Sequence, residues 1–259
     1  MNNKKILIAG PCAVENKKQI LAIAKQLKSL GFEYLRGGAY KPRTNPNSFQ
    51  GLGEDGLKYL LDAKKKYNLK IVTEIVSIEH INKVSNVADI LQIGARNMFN
   101  YELLKSIAVK APKKTILLKR HFSATKKELI GSVGYLEKYG HKGEVIVCER
   151  GIRTFANGEY DRFTLDISLI ADLKKDKRFN HKIIVDPSHA AGRSDLVREL
   201  TLAGMSAGAD GFIIEVKRDK NTIPLVDAKQ AITIKELKNI IKCLYLQNSP
   251  LTRYTPTLR

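Results

Sequence analysis

Short runs of β-branched and apolar residues recur along the chain, each followed by a glycine or a polar residue. They fall at 6–9, 34–36, 71–74, 90–93, 115–118, 145–148, 183–185 and 211–215. Near-continuous apolar runs this short suit strands buried on both faces, as in a parallel sheet. Between them, apolar residues return at helical spacing. Ile20, Ile23, Ala24, Leu27 and Leu30 form one stripe, and Leu57, Leu60 and Leu61 begin another. Further stripes are Leu103, Leu104 and Ile107; Leu129, Ile130, Val133 and Leu136; Leu196, Val197, Leu200 and Ala203; and Leu237, Ile240, Ile241 and Leu244. The stretch Leu165, Ile167, Leu169 and Ile170 repeats the pattern more weakly. Thr125 with Glu128, and Thr233 with Glu236, have the spacing of capping boxes at helix starts. Strands alternating with helices eight times predict an α/β fold, a single-domain (β/α)8 TIM barrel over 1–246. The segment 247–259, with Pro250 and Pro256, reads as a C-terminal extension. A doubly wound open sheet is the structural alternative.

A length of 259 residues is ordinary for one closed barrel. With 43% hydrophobic and 27% charged residues, the composition excludes a disordered chain. Three cysteines, Cys12, Cys148 and Cys243, cannot all pair, which argues against a disulfide framework and for a reducing compartment. No apolar run approaches the ~18 residues of a membrane span. The first ten residues become strand-like too soon for a signal peptide. The expectation is a cytoplasmic protein with no membrane partner.

The formal net charge of +19 admits nucleic acid, an anionic surface or anionic substrates as partners. Lysine runs such as Lys64-Lys65-Lys66 and Lys174-Lys175 lie on probable helix faces and read as solvated surface. No nucleic-acid motif appears, so no specific nucleic-acid role is expected. The arginines are more informative. Arg36, Arg43, Arg96, Arg120, Arg150, Arg153 and Arg193 fall at or just after strand-like runs.

In a barrel, chemistry gathers at the C-terminal ends of the strands. Read in order, those ends carry Pro11-Cys12, Arg36 and Lys41, Glu74, Arg96, Lys119-Arg120, Glu149-Arg150, Asp186 with His189, and Glu215. Converging cations suit phosphate and carboxylate groups, arginine through its fork and lysine as a point charge. Cys12, His189, Glu215 and Asp227 make a mixed donor set suited to Mn, Fe, Co or Zn. The plainer alternative is a buried structural cysteine and a loop histidine. Cys148 and Cys243 read as packing residues, and His80, His141 and His181 receive no role. His121 can border the cavity. The long connections at 40–53 and 151–162 are rich in Gly, Asn, Pro and Arg, and long loops in compact domains usually carry function. Lys119 at a strand end also admits a Schiff-base, metal-independent aldolase.

Six motifs then follow in order: Gly10-Pro11-Cys12 with Glu15, Arg36-Gly-Gly-Ala-Tyr-Lys-Pro-Arg-Thr44, Gln92-Ile-Gly-Ala-Arg-Asn97, Leu118-Lys-Arg120, Cys148-Glu-Arg-Gly-Ile-Arg-Thr154 and Asp186-Pro-Ser-His-Ala190. With them the chain resembles the 3-deoxy-D-arabino-heptulosonate 7-phosphate (DAHP) synthases, in particular the short type I beta branch, over nearly its whole length. The resemblance implies a metal-dependent condensation of phosphoenolpyruvate with erythrose 4-phosphate. It implies Cys12, His189, Glu215 and Asp227 as ligands of a divalent metal. Arg36, Arg96, Lys119 and Arg150, with backbone at Gly94 and Ala95, would hold phosphoenolpyruvate. Lys41, Pro42, Arg43 and Thr44 would form the aldose phosphate side, and Glu74 would order the attacking water. Lys41, Glu74, Lys119 and His189 are the implied catalytic set.

The sister family, the 3-deoxy-D-manno-octulosonate 8-phosphate synthases, uses arabinose 5-phosphate. It usually carries Lys-Ala-Asn-Arg where this chain reads Lys41-Pro42-Arg43-Thr44. The chain departs from the pattern of its own family at His121-Phe122, usually Gly-Met, and at Phe99, frequently Gln. Both changes can reshape the cavity edge. Many relatives add an N-terminal ferredoxin-like or a fused chorismate mutase domain for feedback control. Neither is expected here, so phenylalanine, tyrosine and tryptophan are not expected to inhibit. The family is commonly tetrameric, implying a homo-oligomer, a homotetramer with a dimer as the alternative.

Overall fold

In the computed structural model, which describes residues 5–155 and 157–247, eight parallel strands close into a barrel. They are β1 (Ile6–Gly10), β2 (Tyr34–Arg36), β3 (Lys70–Ile75), β4 (Ile90–Ile93), β5 (Thr115–Lys119), β6 (Val145–Glu149), β7 (Lys182–Val185) and β8 (Gly211–Lys217). Each strand pairs with the next, and β1 pairs with β8 from Ile6↔Gly211 to Gly10↔Glu215, which closes the sheet. All eight sequence runs become strands, and the open-sheet alternative fails on this last pairing. A two-residue β9 (Ile232–Thr233) extends β8.

The outer layer comprises α1 (Lys17–Ser29), α2 (Glu54–Tyr67), α3 (Ile81–Val87), α4 (Tyr101–Lys110), α5 (Lys126–Lys138), α6 (Ile167–Lys175), α7 (Pro187–Ala191), α8 (Val197–Ser206) and α9 (Ile234–Gln247). None of the described helices is long and apolar enough to cross a membrane. Gln247 ends α9, and the rest of the extension expected at 247–259 lies outside the described residues. Both capping boxes form: Thr125 with Glu128, and Thr233 with Glu236.

Two helices, α7 and α8, follow β7 where the pattern predicts one. Asp186 caps α7 by accepting from the His189 N–H, Pro187 supplies a preset first-turn φ, and Gly192 ends the helix at φ 69°. On α8 the fully buried residues are Val197, Thr201 and Gly204, while Leu200 and Ala203 are only half-buried. Gly204 packs so tightly on β7 that an added Cβ would lie 2.6 Å from Val185 Cγ1. Ile130 and Ile167, also read as core, are exposed.

Strand alternation divides the core in two. Ile6, Ile8, Val72, Ile90, Leu117, Ile146, Cys148, Ile184 and Ile213 fill the barrel interior. The residues between them, such as Ile71, Leu91, Leu118 and Val147, face the helices. Each inward row, extended by steps of two, leaves the apolar core and arrives at a polar side chain. Ile8 leads through Gly10 to Cys12, Val72 to Glu74, Leu117 to Lys119, Cys148 to Arg150, Ile184 to Asp186 and Ile213 to Glu215. Parity thus carries the chemistry to one end of the barrel.

Candidate active site

A cavity of about 290 Å³ opens at that end. Its lining contains Arg36, Lys41, Pro42, Arg43, Thr44, Glu74, Gly94, Ala95, Arg96, Lys119, Arg150, His189 and Asp227, all candidates from the sequence. The remaining two candidates, Cys12 and Glu215, join His189 and Asp227 in a cluster whose donor atoms all lie within 4.8 Å of one another. The structure therefore brings every candidate to one place.

Three of the arginines drawn in by their strand-end positions do other work. Arg120 follows the inward Lys119 and so turns toward the helices. There Glu149, Asp166 and the Ala124 carbonyl take up its guanidinium at 2.7–2.9 Å. Arg193 pairs with Asp195 at the surface, and Arg153 lies over the Phe122 ring. His121 is outside the cavity lining and packs between Phe99 and Phe122, and of these three only Phe122 lines the cavity. His80 has a supporting role that the sequence did not indicate. It stacks on Tyr40 at 3.9 Å, beside Lys41 at the start of the long loop.

In the cluster, Cys12 Sγ donates to Asp227 Oδ2 at 3.2 Å. His189 Nε2 lies 3.4 Å from Glu215 Oε1 and 3.9 Å from Asp227 Oδ2, while its Nδ1 lies 2.7 Å from Asp186 Oδ2. Glu215 is held by Arg36 Nη1 at 2.7 Å and by the Gln230 side-chain amide at 2.6 Å. Asp227 sits at φ 52°, a conformation asparagine and aspartate tolerate better than most residues. Arg162 reaches its Oδ1 at 3.5 Å, and Glu15 steadies the preceding loop by accepting from the Leu225 N–H at 2.7 Å. Burial, with Glu215 adding to it, pushes the Cys12 thiol well up. Burial pushes His189 down, toward the neutral imidazole a metal requires. Burial opposes the charge on Asp227, but the His189 ring, the Cys12 hydrogen bond and Arg162 outweigh it and hold the carboxyl near 2. One thiol, one imidazole nitrogen and two carboxylates thus converge, and such a set fits a divalent cation.

Around the cluster stand the cations. Lys119 is ion-paired with Asp186, and Arg96 Nη1 donates to the Pro42 carbonyl at 2.7 Å, which links two loops. Glu74 accepts from the Gln92 amide at 3.3 Å. Its carboxylate lies so close over Gly94 that a Cβ there would stand 1.9 Å from Oε1. Sequence reasoning set Phe122 at the cavity edge, where it lies, but missed Asn45, Ser48, Gln92, Arg162 and Phe163 in the lining, and Gln230 behind Glu215. Gln92 was accessible through strand parity. Arg162 and Phe163 end an irregular loop, where no parity applies.

Residues 1–251 match the model of the DAHP synthetase I family. The chain is 44% identical over 236 residues to a phospho-2-dehydro-3-deoxyheptonate aldolase of Thermotoga maritima, covering 91% of this chain and 68% of the relative. A 2-dehydro-3-deoxyphosphooctonate aldolase of Campylobacter jejuni is 32% identical over 270 residues, covering 93% and 97% of the two chains. The crystal structure of a Thermotoga maritima DAHP synthase superposes with a TM-score of 0.86 at 42% identity, over 95% of this chain and 69% of that one. A truncated form of a synthase from that organism gives 0.84 at 39% identity, over 95% and 87%.

Proposed function

The chain belongs to the DAHP synthetase I family, and from that premise we infer how its cavity divides the work of the reaction. The activity is that of a 3-deoxy-7-phosphoheptulonate synthase, which opens the shikimate pathway. Phosphoenolpyruvate, erythrose 4-phosphate and water give DAHP and inorganic phosphate. The observation that carries the division of labour is the meeting of a four-donor cluster and a ring of cations in one small cavity.

In this reading Arg36, Arg96, Lys119 and Arg150, with the backbone of Gly94 and Ala95, hold the carboxylate and phosphate of phosphoenolpyruvate. Arg43 and Thr44 take the phosphate of the aldose, and Pro42 shapes that wall. The two substrates repel each other, so holding them together is an electrostatic and orientational task. Carbon 3 of phosphoenolpyruvate bonds to the aldehyde carbon, water adds at carbon 2, and the C–O bond to phosphate breaks. Glu74 orients the water and accepts its proton. Burial opposes the charge on Lys41, but nearby acidic groups, Glu74 and Glu215 among them, outweigh it and keep the side chain an ammonium, which we assign to the aldehyde oxygen. Cys12, His189, Glu215 and Asp227 would hold a divalent ion, Mn, Fe, Co and Zn all suiting the donors, and once bound it would supply Lewis acidity toward the aldehyde carbonyl. Lys119 is committed to Asp186, which favours an anion-binding role over a Schiff base.

Loss of phosphoenolpyruvate absorbance tests this reading with erythrose 4-phosphate or arabinose 5-phosphate, each with and without EDTA. The expected result is turnover with erythrose 4-phosphate alone, lost in EDTA and restored by Mn or Co. Turnover with arabinose 5-phosphate would move the enzyme to the sister activity. EDTA-resistant turnover would remove the metal from the reaction.

A further inference from the structure

Arg36 and Lys119 are each tied to a carboxylate. Arg150 differs. It is buried, its guanidinium has no hydrogen bond or ion pair among the described residues, and its Nη1 is shut from solvent without a partner. An aromatic ring holds it instead. The guanidinium carbon lies 4.4 Å from the centre of the Phe163 ring. Phe122 stacks on Phe163 at 5.3 Å with 21° between the planes, and Arg153 covers Phe122 at 4.8 Å.

The backbone is arranged to deliver this ring. Phe163 N–H donates to the Ala190 carbonyl at 2.9 Å, and an antiparallel bridge between Ile152 and Thr164 ties the loop ends together. Gly151, at φ 93°, lets Phe163 approach the strand end. A Cβ at Gly151 would fall 2.7 Å from that of Phe163.

A carboxylate partner would cancel the charge of Arg150 and occupy its N–H groups. A ring face attracts the cation through its quadrupole and leaves both charge and donors available. We propose that Phe163, backed by Phe122, is a positioning residue for phosphoenolpyruvate: it holds Arg150 uncompensated, so that the guanidinium fork is completed only by an anionic oxygen of that substrate. This rests on the assignment of Arg150 to phosphoenolpyruvate made above. The support behind Phe163 in this chain is itself aromatic.

Steady-state kinetics of the metal-loaded full chain, with each substrate varied in turn, test the proposal. Phe163→Leu preserves bulk but removes the ring. It should raise KM for phosphoenolpyruvate roughly 5- to 20-fold and leave that for erythrose 4-phosphate within about 2-fold. Phe163→Tyr should restore it. In an Arg150→Ala background, Phe163→Leu should add less than about 2-fold, because the group it positions is gone. An equal rise for both substrates, or a tyrosine variant as poor as leucine, would overturn the proposal by showing a packing role. If Arg150→Ala raises KM for phosphoenolpyruvate while Phe163→Leu does not, the proposal fails and the assignment of Arg150 stands. If Arg150→Ala changes nothing, both fall. Should Phe163→Leu not fold, Phe122→Met carries the comparison. A rise of roughly 2- to 5-fold for phosphoenolpyruvate alone supports the proposal, and no rise overturns it.

Discussion

Lys119 and Arg120 are adjacent in sequence and alike in charge, yet one lines the cavity and the other braces its wall. Alternation along the strand decides between them. Lys119 continues the inward row above Leu117, whereas Arg120 meets Glu149 and Asp166 outside the barrel. The same rule accounts for part of the candidate site, since Cys12, Arg36, Glu74, Lys119, Arg150 and Glu215 all follow from inward positions, whereas the others were read from strand ends and family motifs. It is silent about Arg162, Phe163 and Gln230, whose places depend on loops that return from a distance. Asp227 lies in such a loop too; the sequence offered it as a metal-capable residue type, and the family resemblance gave it a place. The cluster makes a residue-scale prediction. Cys12→Ala should weaken cobalt binding roughly 100-fold or more and abolish thiolate-to-cobalt absorption, with the circular dichroism unchanged. Unaltered cobalt affinity would take Cys12 out of the donor set.

At the scale of elements, helix starts were better marked than helix faces. Thr125 and Glu128 exchange hydrogen bonds at 2.8–3.2 Å, as their spacing requires. Their surroundings are exposed, so the cap acts through the helix alone. Thr125→Ala should lower stability by about 1 kcal/mol, read as a shift in the denaturant midpoint with KM values unchanged. A stability loss below about 0.3 kcal/mol would mean that neighbouring helices hold α5 without its cap. The face of α8 was misread because apolar residues were counted and tight fit was not. Gly204 is buried there because β7 leaves no room for a side chain, a constraint set by a strand remote in sequence. The short α7 was missed for a related reason. Its five residues are too few for periodicity, although Asp186, Pro187 and Gly192 are all recognisable end signals.

Across the whole molecule, the closed sheet depends on one seam. At Gly211 an added Cβ would stand 1.9 Å from the Ile6 carbonyl oxygen, so β8 can lie beside β1 only with glycine there. Gly211→Val should cost about 3 kcal/mol and lower cobalt affinity in parallel, since the same seam aligns Glu215 with Gly10 and hence with Cys12. Wild-type stability in chemical denaturation would show that the seam can relax. The charge of +19 acts on this same scale. Lysines on the outer helices carry much of it, and the field they produce favours the approach of polyanionic substrates to a mouth already lined with cations.

Cys12 and Asp227 touch across 215 positions of sequence. A ribosome adding roughly 10 residues per second takes about 20 seconds to travel that far. Throughout that interval the nascent Cys12 thiol lacks its hydrogen-bond acceptor, and until almost its end it also lacks Val226, which packs beside it. A chain abandoned before β8 emerges has no cluster at all. On the proposed ligand set, the ability to capture a metal ion would therefore be acquired only when translation is nearly finished, and a truncated product could not compete with the finished enzyme for scarce ions.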